Sequence, residues 1–463
     1  MSTDTAAQKM GWQADRGSVA MGLPNSTTQD VHSGGKQIVW GILLAAIVLT
    51  VLEGAIRKWL IGSPFQIESY LAYFSKDVVF ALLLLLPVRA NSSAPLEYFG
   101  RWLIPGCFLV LCGALASSTQ EINFVGALLT LRAAVFLPVV AFLVVPRMQG
   151  ISLRSVALFI GLMTILNFAL GIVQNELPAR HILNRYVVDT ADITTTPTGV
   201  RATGTFSYIS GMAIMSVVGV WAGMVQLSLG RNMWEKIFGW AALASGVGCG
   251  LASVSRGPIV MSAVMISVWL MIYGMKIVND SRSTLAGIVL LVLVSYIGLT
   301  ATFIDLGQGL LLRADTAGDT IQERSVGQFF DALTAVEMAP FGNGLGAEQV
   351  GRKAYSTGEL ARTIFESPLS RLVLETGVFG LLGFLLICSG ALLALQIAKL
   401  QVATSGEKAA LLITQLFLFW MLAGSVVFNH VASAFAWILF AAVMASLPID
   451  NAANDEKMTS QAS

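Results

Sequence analysis

Two short runs place an arginine where a helix begins. Arg201 opens Arg201-Ala202-Thr203-Gly204-Thr205-Phe206, and Arg256 lies in Ser253-Val254-Ser255-Arg256-Gly257-Pro258, between two apolar stretches. Pro258 suits the first turn of a helix. Exposed amides at a helix start, joined by a guanidinium, make a site for an anion, and arginine offers phosphate a bidentate fork. The plainer readings are a snorkelling arginine for Arg256 and ordinary helix-start chemistry for the Thr-Gly-Thr junction.

Further charges stand where apolar residues are the rule. Arg371 lies inside an apolar stretch, five residues after Glu366. A charge there costs roughly 2.5–3.5 kcal/mol unless it is paired or wetted, and Glu375 at i+4 is the available partner. Arg132 has apolar neighbours on both sides; substrate contact and helix packing are both open to it. Glu53-Gly54-Ala55-Ile56-Arg57-Lys58-Trp59 closes the first apolar stretch. Glu53 and Arg57 can pair at i,i+4, with Trp59 as an interface anchor; alternatively Arg57 and Lys58 add two cations to one cluster.

Arg324 belongs to a long polar excursion, about 306–367, in an otherwise apolar chain. It continues through Pro340-Phe341-Gly342-Asn343-Gly344-Leu345-Gly346 and Arg352, Lys353 and Arg362 to Glu366-Ser367. A loop of that length is uncommon without a role. A carboxylate such as Glu366 accepts a proton from a hydroxyl when burial raises its pKa. Among arginines it is instead held low, as a positioning group or a salt-bridge partner of Arg362 or Arg371. His181 and His430 are weaker acid/base candidates, and Asp189 with Asp192 lacks a third metal ligand. Cys107, Cys112, Cys249 and Cys388 fall inside apolar stretches and offer neither a disulfide framework nor metal-ligand spacing. Neither a metal nor another cofactor is expected.

Composition says what must position these residues. Hydrophobic residues make up 55% of 463 and charged residues 12%, with a mean hydropathy of +0.74; soluble domains carry about 25% charged residues. Stretches near the spanning length of about 20 residues fall at about 37–56, 69–88, 102–118, 122–145, 155–174, 206–228, 236–254, 258–276, 285–305, 368–398, 410–427 and 431–447. Ser75-Lys76-Asp77 interrupts the second and Arg132 the fourth. The fold class is therefore all-α: a polytopic integral membrane protein of about 12 transmembrane helices, with a long extracytoplasmic loop carrying short helices. Residues 1–36 read as a disordered cytoplasmic tail, 37–447 as the transmembrane domain, and 448–463 as a polar cytoplasmic tail. No cleavable signal is expected, because the first apolar run starts late and is long. The formal net charge of +1 points to no nucleic-acid partner.

Lys and Arg set the orientation. With the N-terminus inside, the inner loops hold Arg89 and Arg101, Arg147 and Arg154, Arg231 and Lys236, Lys276 and Arg282, and Lys399 and Lys408. The long loops, about 175–205 and 306–367, then face outward. Chemistry on that face has no nucleotide to draw on, so a donor must bring its own leaving group.

The runs RATGTF at 201–206, SRGP at 255–258, PFGNGLG at 340–346 and ESPLSRLVLETGVFG at 366–380, in this order, resemble the O-antigen ligase/polymerase superfamily of polytopic membrane glycosyltransferases. The resemblance covers roughly Arg132 to Phe384. Where the ligase branch has a histidine, this chain has Glu366; Ser367, Gly377 and Gly380 match. The resemblance implies metal-independent, inverting transfer of an undecaprenyl-diphosphate-linked glycan at the outer face of the bacterial cytoplasmic (inner) membrane. It implies that Arg201 and Arg256 hold the donor diphosphate; Glu366, as base or as a positioning group paired with arginine, is the third catalytic candidate. Arg371, Arg132, Arg324, Arg57 and Lys58 are the remaining candidates for substrate contact. The expected partners are a lipid-linked oligosaccharide, membrane lipid, and a chain-length regulator or export complex. The expected activity is polymerisation of lipid-linked repeats. The alternatives are a ligase acting on lipid A core or protein, a secondary transporter or lipid-intermediate flippase, and a non-catalytic scaffold in a polysaccharide export complex.

Overall fold

The computed structural model describes residues 26–62, 67–88, 93–118, 124–186, 195–196, 199–274, 327–346, 368–423 and 429–447. Helices dominate. In chain order they are α1 (Ser26–Ala55), α2 (Ile67–Leu82), α3 (Ala94–Ser117), α4 (Phe124–Leu131), α5 (Leu137–Val144), α6 (Leu153–Glu176), α7 (Ile209–Leu229), α8 (Met233–Ala252), α9 (Arg256–Trp269), α10 (Gly327–Met338), α11 (Pro368–Gln401), α12 (Ser405–Ala423) and α13 (His430–Ser446). A two-residue antiparallel pair, Thr195–Thr196 with Gly199–Val200, precedes α7.

Among the described residues, six helical stretches are long and apolar enough to cross a membrane: Gly35–Ile61, Ala94–Ser117, Phe124–Arg147, Leu153–Glu176, Ile209–Leu229 and Leu369–Gln401. Arg256–Ile272 and His430–Ser446 are shorter apolar helices. A helix occupies each expected stretch except the ninth, about 285–305, which lies outside the described residues, as do residues 1–25 and 448–463. Of the long loop, 327–346 is described and contains α10. Helix α1 starts at Ser26, ahead of the expected start at 37, so residues 26–36 are helical and not part of a disordered tail. A helix satisfies its own backbone and can continue past its apolar stretch.

Local chemistry sets the helix starts. Ser152 accepts from the Ser155 amide at α6, Asn232 from the Glu235 amide at α8, and Asn429 from the Val431 amide at α13. Helices α7 and α13 are buried almost all round, as expected of helices at the centre of a bundle. Small residues let neighbours close on them: Gly106 of α3 meets Gly383 of α11, and Gly219 of α7 meets Gly246 of α8.

The bundle has two distinct ends. At one, Arg147 donates to the Leu86 carbonyl, Gly150 to the Ala445 carbonyl, and Arg154 pairs with Glu235. At the other, the end of α1, the 199–208 segment, the α8–α9 turn and the start of α13 converge.

Candidate functional site

The segment after β-pair residue Val200 runs back into the bundle without being helical. Such backbone survives among spanning helices only if other groups satisfy it, and the amides from Ala202 to Phe206 each have a partner. Gln174 Oε1 accepts from the amides of Thr203 (3.0 Å) and Gly204 (2.7 Å). Asn167 Oδ1 accepts from the Thr205 amide, and the Thr205 hydroxyl reaches the Val51 carbonyl of α1. The Ala202 amide donates to the Ala252 carbonyl. A Cβ on Gly54 would overlap the backbone of Phe206 and Ser207, so a glycine is what admits the segment against α1.

Arg201, at the head of this segment, caps α8. Its Nε donates to the Ser253 carbonyl at 3.1 Å, and Nη2 approaches the Val254 carbonyl and the Ser255 hydroxyl. A helix end leaves carbonyls without intrahelical partners and carries partial negative charge, which a guanidinium answers on both counts. Val254 has φ 50°, the single positive-φ residue other than glycine among the described residues. For a β-branched side chain that is a strained backbone, and such strain gathers at functional turns. Arg256 follows two residues later as the first residue of α9, half-buried, with no hydrogen bond or ion pair to any described residue. Tyr186 donates its hydroxyl to the Arg201 carbonyl. Burial pushes that phenol's pKa up, with Arg201 opposing, so it remains a donor.

Beside this turn lies a network of buried charges. Lys76 Nζ sits 2.6 Å from Glu53 Oε2, with neither side chain exposed. Arg57 reaches Glu53 Oε1 at 3.0 Å, and also the hydroxyls of Ser69 and Ser207. Arg132 grips Asp77 with two nitrogens and adds the Ser433 hydroxyl and the His430 carbonyl. The Tyr73 ring lies within cation–π distance of Arg57, Lys76 and Arg132, and meets the His430 ring at 4.7 Å, tilted by 38°. His430 Nε2 stands 3.6 Å from Glu53 Oε2. Lys58 is fully buried and has no carboxylate among the described residues. Its Nζ donates to Thr203 Oγ1 (2.8 Å) and to the Gly204 carbonyl (2.5 Å) and lies over the Trp59 ring.

Helix irregularity positions these groups. Residues Ile56–Ile61 continue α1 as a π-helix that carries Arg57 and Lys58, and Arg132–Phe136 is a second π-helix between α4 and α5. Wide turns of this kind are rare and collect at functional sites.

The glycine turn after α10 docks on α11. The Asn343 amide donates to the Leu374 carbonyl and the Val378 amide to the Pro340 carbonyl. Gly342 and Gly377 both have positive φ, and a Cβ on either would overlap the other's strand of backbone. Helix α11 breaks at Gly377. Arg371, expected inside the tenth span, therefore sits in a short helical piece ahead of that break. It makes no ion pair with Glu375 at i+4, and its Nε is buried without a hydrogen-bond partner among the described residues. Glu375 accepts instead from the Thr130 hydroxyl of α4.

The structure thus brings Arg201, Arg256, Arg57 and Lys58 to one end of the bundle. It commits Arg132 to Asp77, the packing reading of that residue, and pairs Arg57 with Glu53, as i,i+4 spacing allows. Glu366 and Arg324 lie outside the described residues. Lys76, Asp77, Tyr73 and the contact of His430 with Glu53 were not foreseen as a site. The signal was present: Ser75-Lys76-Asp77 inside an apolar stretch is what an intramembrane charge cluster looks like. No protein-family model matches this chain, and no curated protein is similar to it.

Proposed function

We propose that this chain polymerises undecaprenyl-diphosphate-linked oligosaccharide repeats at the outer face of the bacterial inner membrane, through a bundle of about twelve spans. One observation carries the reading: Arg201 bonds to Ser253 and Ser255, on the very turn that ends in Arg256. Two guanidiniums on a strained turn at a helix start suit a diphosphate. The acceptor hydroxyl oxygen attacks the anomeric carbon, the bond from that carbon to the phosphate oxygen breaks, and the undecaprenyl diphosphate leaves. The configuration inverts. Arg201 and Arg256 neutralise the charge that builds on the leaving oxygen. Glu366 takes the hydroxyl proton, while Arg371 and Arg324 contact the glycan or its phosphates. Arg57 and Arg132 hold the scaffold through Glu53 and Asp77.

A gel of lipid-linked and surface glycan tests this in cells lacking the gene and rescued by wild type, Arg256→Ala or Glu366→Ala. A ladder restored by wild type and not by Arg256→Ala is the expected result. Long lipid-linked polymer that never reaches its acceptor would assign a ligase instead.

A second reading has its own observation. Glu53, Lys76, Asp77 and Arg132 are buried among apolar helices, where ionisable groups commonly line transport paths. A flippase or secondary transporter predicts movement of a lipid intermediate across vesicles with no change in glycan length.

A further inference from the structure

At the end of the bundle opposite Arg201 and Arg256, the start of α6, the end of α7, the start of α12 and the end of α13 frame a cavity of about 240 Å³. Close backbone packing sets its walls. A Cβ on Gly406 of α12 would overlap the Ser228 carbonyl of α7, and the Gly150 amide ahead of α6 donates to the Ala445 carbonyl of α13. A second cavity, of about 260 Å³, lies between the start of α6 and α1 around Lys36 and Trp40. Ile151 and Ser152 line both, so the two adjoin. Arg154 and Arg231 line the first and Lys36 the second. Neither the Lys36 ammonium nor the Arg231 guanidinium has a hydrogen bond or ion pair among the described residues. The nearby acids are engaged: Glu235 with Arg154 and the Arg231 amide, Glu407 with the Thr404 hydroxyl and amide. Leu229, Leu411 and Val443 supply an apolar wall beside these cations.

We propose that these adjoining cavities bind the headgroup of an anionic phospholipid, with Lys36, Arg154 and Arg231 as the cations that hold it. Basic pockets between spanning helices take lipid phosphates in this way. The two kinds of lining fit an amphiphile: guanidinium and ammonium for the phosphate, leucine and valine for the first carbons of the chains. A free phosphate would use the cations and leave the apolar wall bare. A zwitterionic lipid brings an ammonium of its own, which Lys36, Arg154 and Arg231 repel. Hydroxyls add neutral donors, since Ser152 and Ser446 also line the first cavity. Trp40, lining the second, is the residue type that settles at headgroup depth. The distribution of Lys and Arg assigns this end to the inner leaflet. The site stands apart from the glycan reading, since none of its residues belongs to the cluster at the other end. It would hold for a transporter equally well.

The test uses the full-length protein in mild detergent, with phosphatidylglycerol as probe. Phosphatidylcholine of the same acyl chains is the zwitterionic control, and glycerol 3-phosphate is the free headgroup. Bound lipid is counted by native mass spectrometry, and the melting temperature is followed beside it. Wild type should hold phosphatidylglycerol at least about tenfold more tightly than phosphatidylcholine and melt several degrees higher with it. Lys36→Gln with Arg231→Gln changes two exposed side chains. It should melt like wild type without lipid and lose that preference. Ser446→Phe fills the first cavity without touching a charge and should weaken phosphatidylglycerol binding as well. Arg101→Gln removes a cation that lines neither cavity and should leave binding unchanged. The proposal is overturned if phosphatidylcholine or glycerol 3-phosphate binds wild type as tightly as phosphatidylglycerol. It is also overturned if the double variant keeps the preference, or if Arg101→Gln loses as much of it, because binding then follows overall surface charge. The wild-type comparison and the double variant decide the matter even if Ser446→Phe fails to fold. Glycan length does not enter the measurement, so this site and the polymerase reading fail separately.

Discussion

Arg201 Nε and the Ser253 carbonyl are joined by a 3.1 Å hydrogen bond, so one arginine both closes α8 and brings charge to the turn before α9. Arg256, three residues after Ser253, makes no such contact with any described residue.

That difference separates two alanine variants. Arg201→Ala removes hydrogen bonds from a charged donor and should destabilise the protein by about 1.5–3 kcal/mol. Arg256→Ala should change stability by no more than about 0.5 kcal/mol. If both arginines neutralise a leaving group, each loses roughly 10²–10³ in transfer rate. Melting curves in detergent beside a glycan ladder would distinguish the roles. Equal melting losses for both variants would mean that Arg256 is structural.

The Arg132–Asp77 pair ties α2 to the π-helix after α4. Asp77→Asn leaves a buried guanidinium short of a charge, and breaking a buried pair in this way typically costs about 3–5 kcal/mol. Asp77→Leu combined with Arg132→Met removes both charges and should recover much of the loss. Chemical or thermal unfolding of the three variants checks this. An additive double variant would show that the pair is not coupled.

Two glycines in helices should behave in opposite ways. Gly377 has φ +66° and sits against the backbone of Pro340 and Phe341, so Gly377→Ala adds both strain and a clash. A loss of about 1–3 kcal/mol and faster proteolysis within 340–346 are expected. Gly41 of α1 has open space around its would-be Cβ. Gly41→Ala should stabilise by about 0.5–1 kcal/mol through helix propensity.

At the opposite end, the Arg231 amide donates to Glu235 Oε2 at 2.7 Å and Arg154 lies 3.1 Å away. These contacts, the amide first, hold the Glu235 carboxyl below the usual carboxylate range. Because the folded state binds this proton less readily than the unfolded chain, the contribution is present at neutral pH. It is lost as pH falls through the depressed value. Glu235→Gln should therefore melt lower than wild type at pH 7, and the difference should shrink in acid. A gap independent of pH would leave the charge without a role.

Much of the architecture was legible in the sequence because a bilayer demands long apolar runs, and α3, α6 and α11 announce themselves by length alone. The break at Gly377 was not, since a Gly-Val-Phe-Gly run in apolar surroundings reads as continuous helix; only docking of Gly342 shows why the chain turns there. The cations of the site were legible as types out of place. Their partners were less so. Arg371 was matched to Glu375 by i,i+4 spacing, yet Glu375 turns to Thr130, 245 residues away in sequence. Spacing rules see one helix at a time, and the buried network spans α1, α2, α13 and the π-helix Arg132–Phe136. Lys76 and Asp77 weakened the case for a span when read singly; together with Glu53 and Arg132 they form one hydrogen-bonded cluster of buried charges.

The π-helices Ile56–Ile61 and Arg132–Phe136 also act as phase shifters. A π-turn accommodates one residue more than an α-turn, so everything beyond it is rotated relative to everything before it by about 100°. Glu53, upstream of Ile56–Ile61, faces Lys76 of α2, while Lys58 within it faces Thr203. Thr130, upstream of the second, faces Glu375 of α11, while Arg132 within it faces Asp77 of α2. In each case a single helix serves two neighbours that a uniform helical pitch would not let it reach. Deleting one residue from either segment would shorten the chain trivially, yet it would re-aim every side chain on the far side. Angular register, more than any one charge, is what these segments contribute.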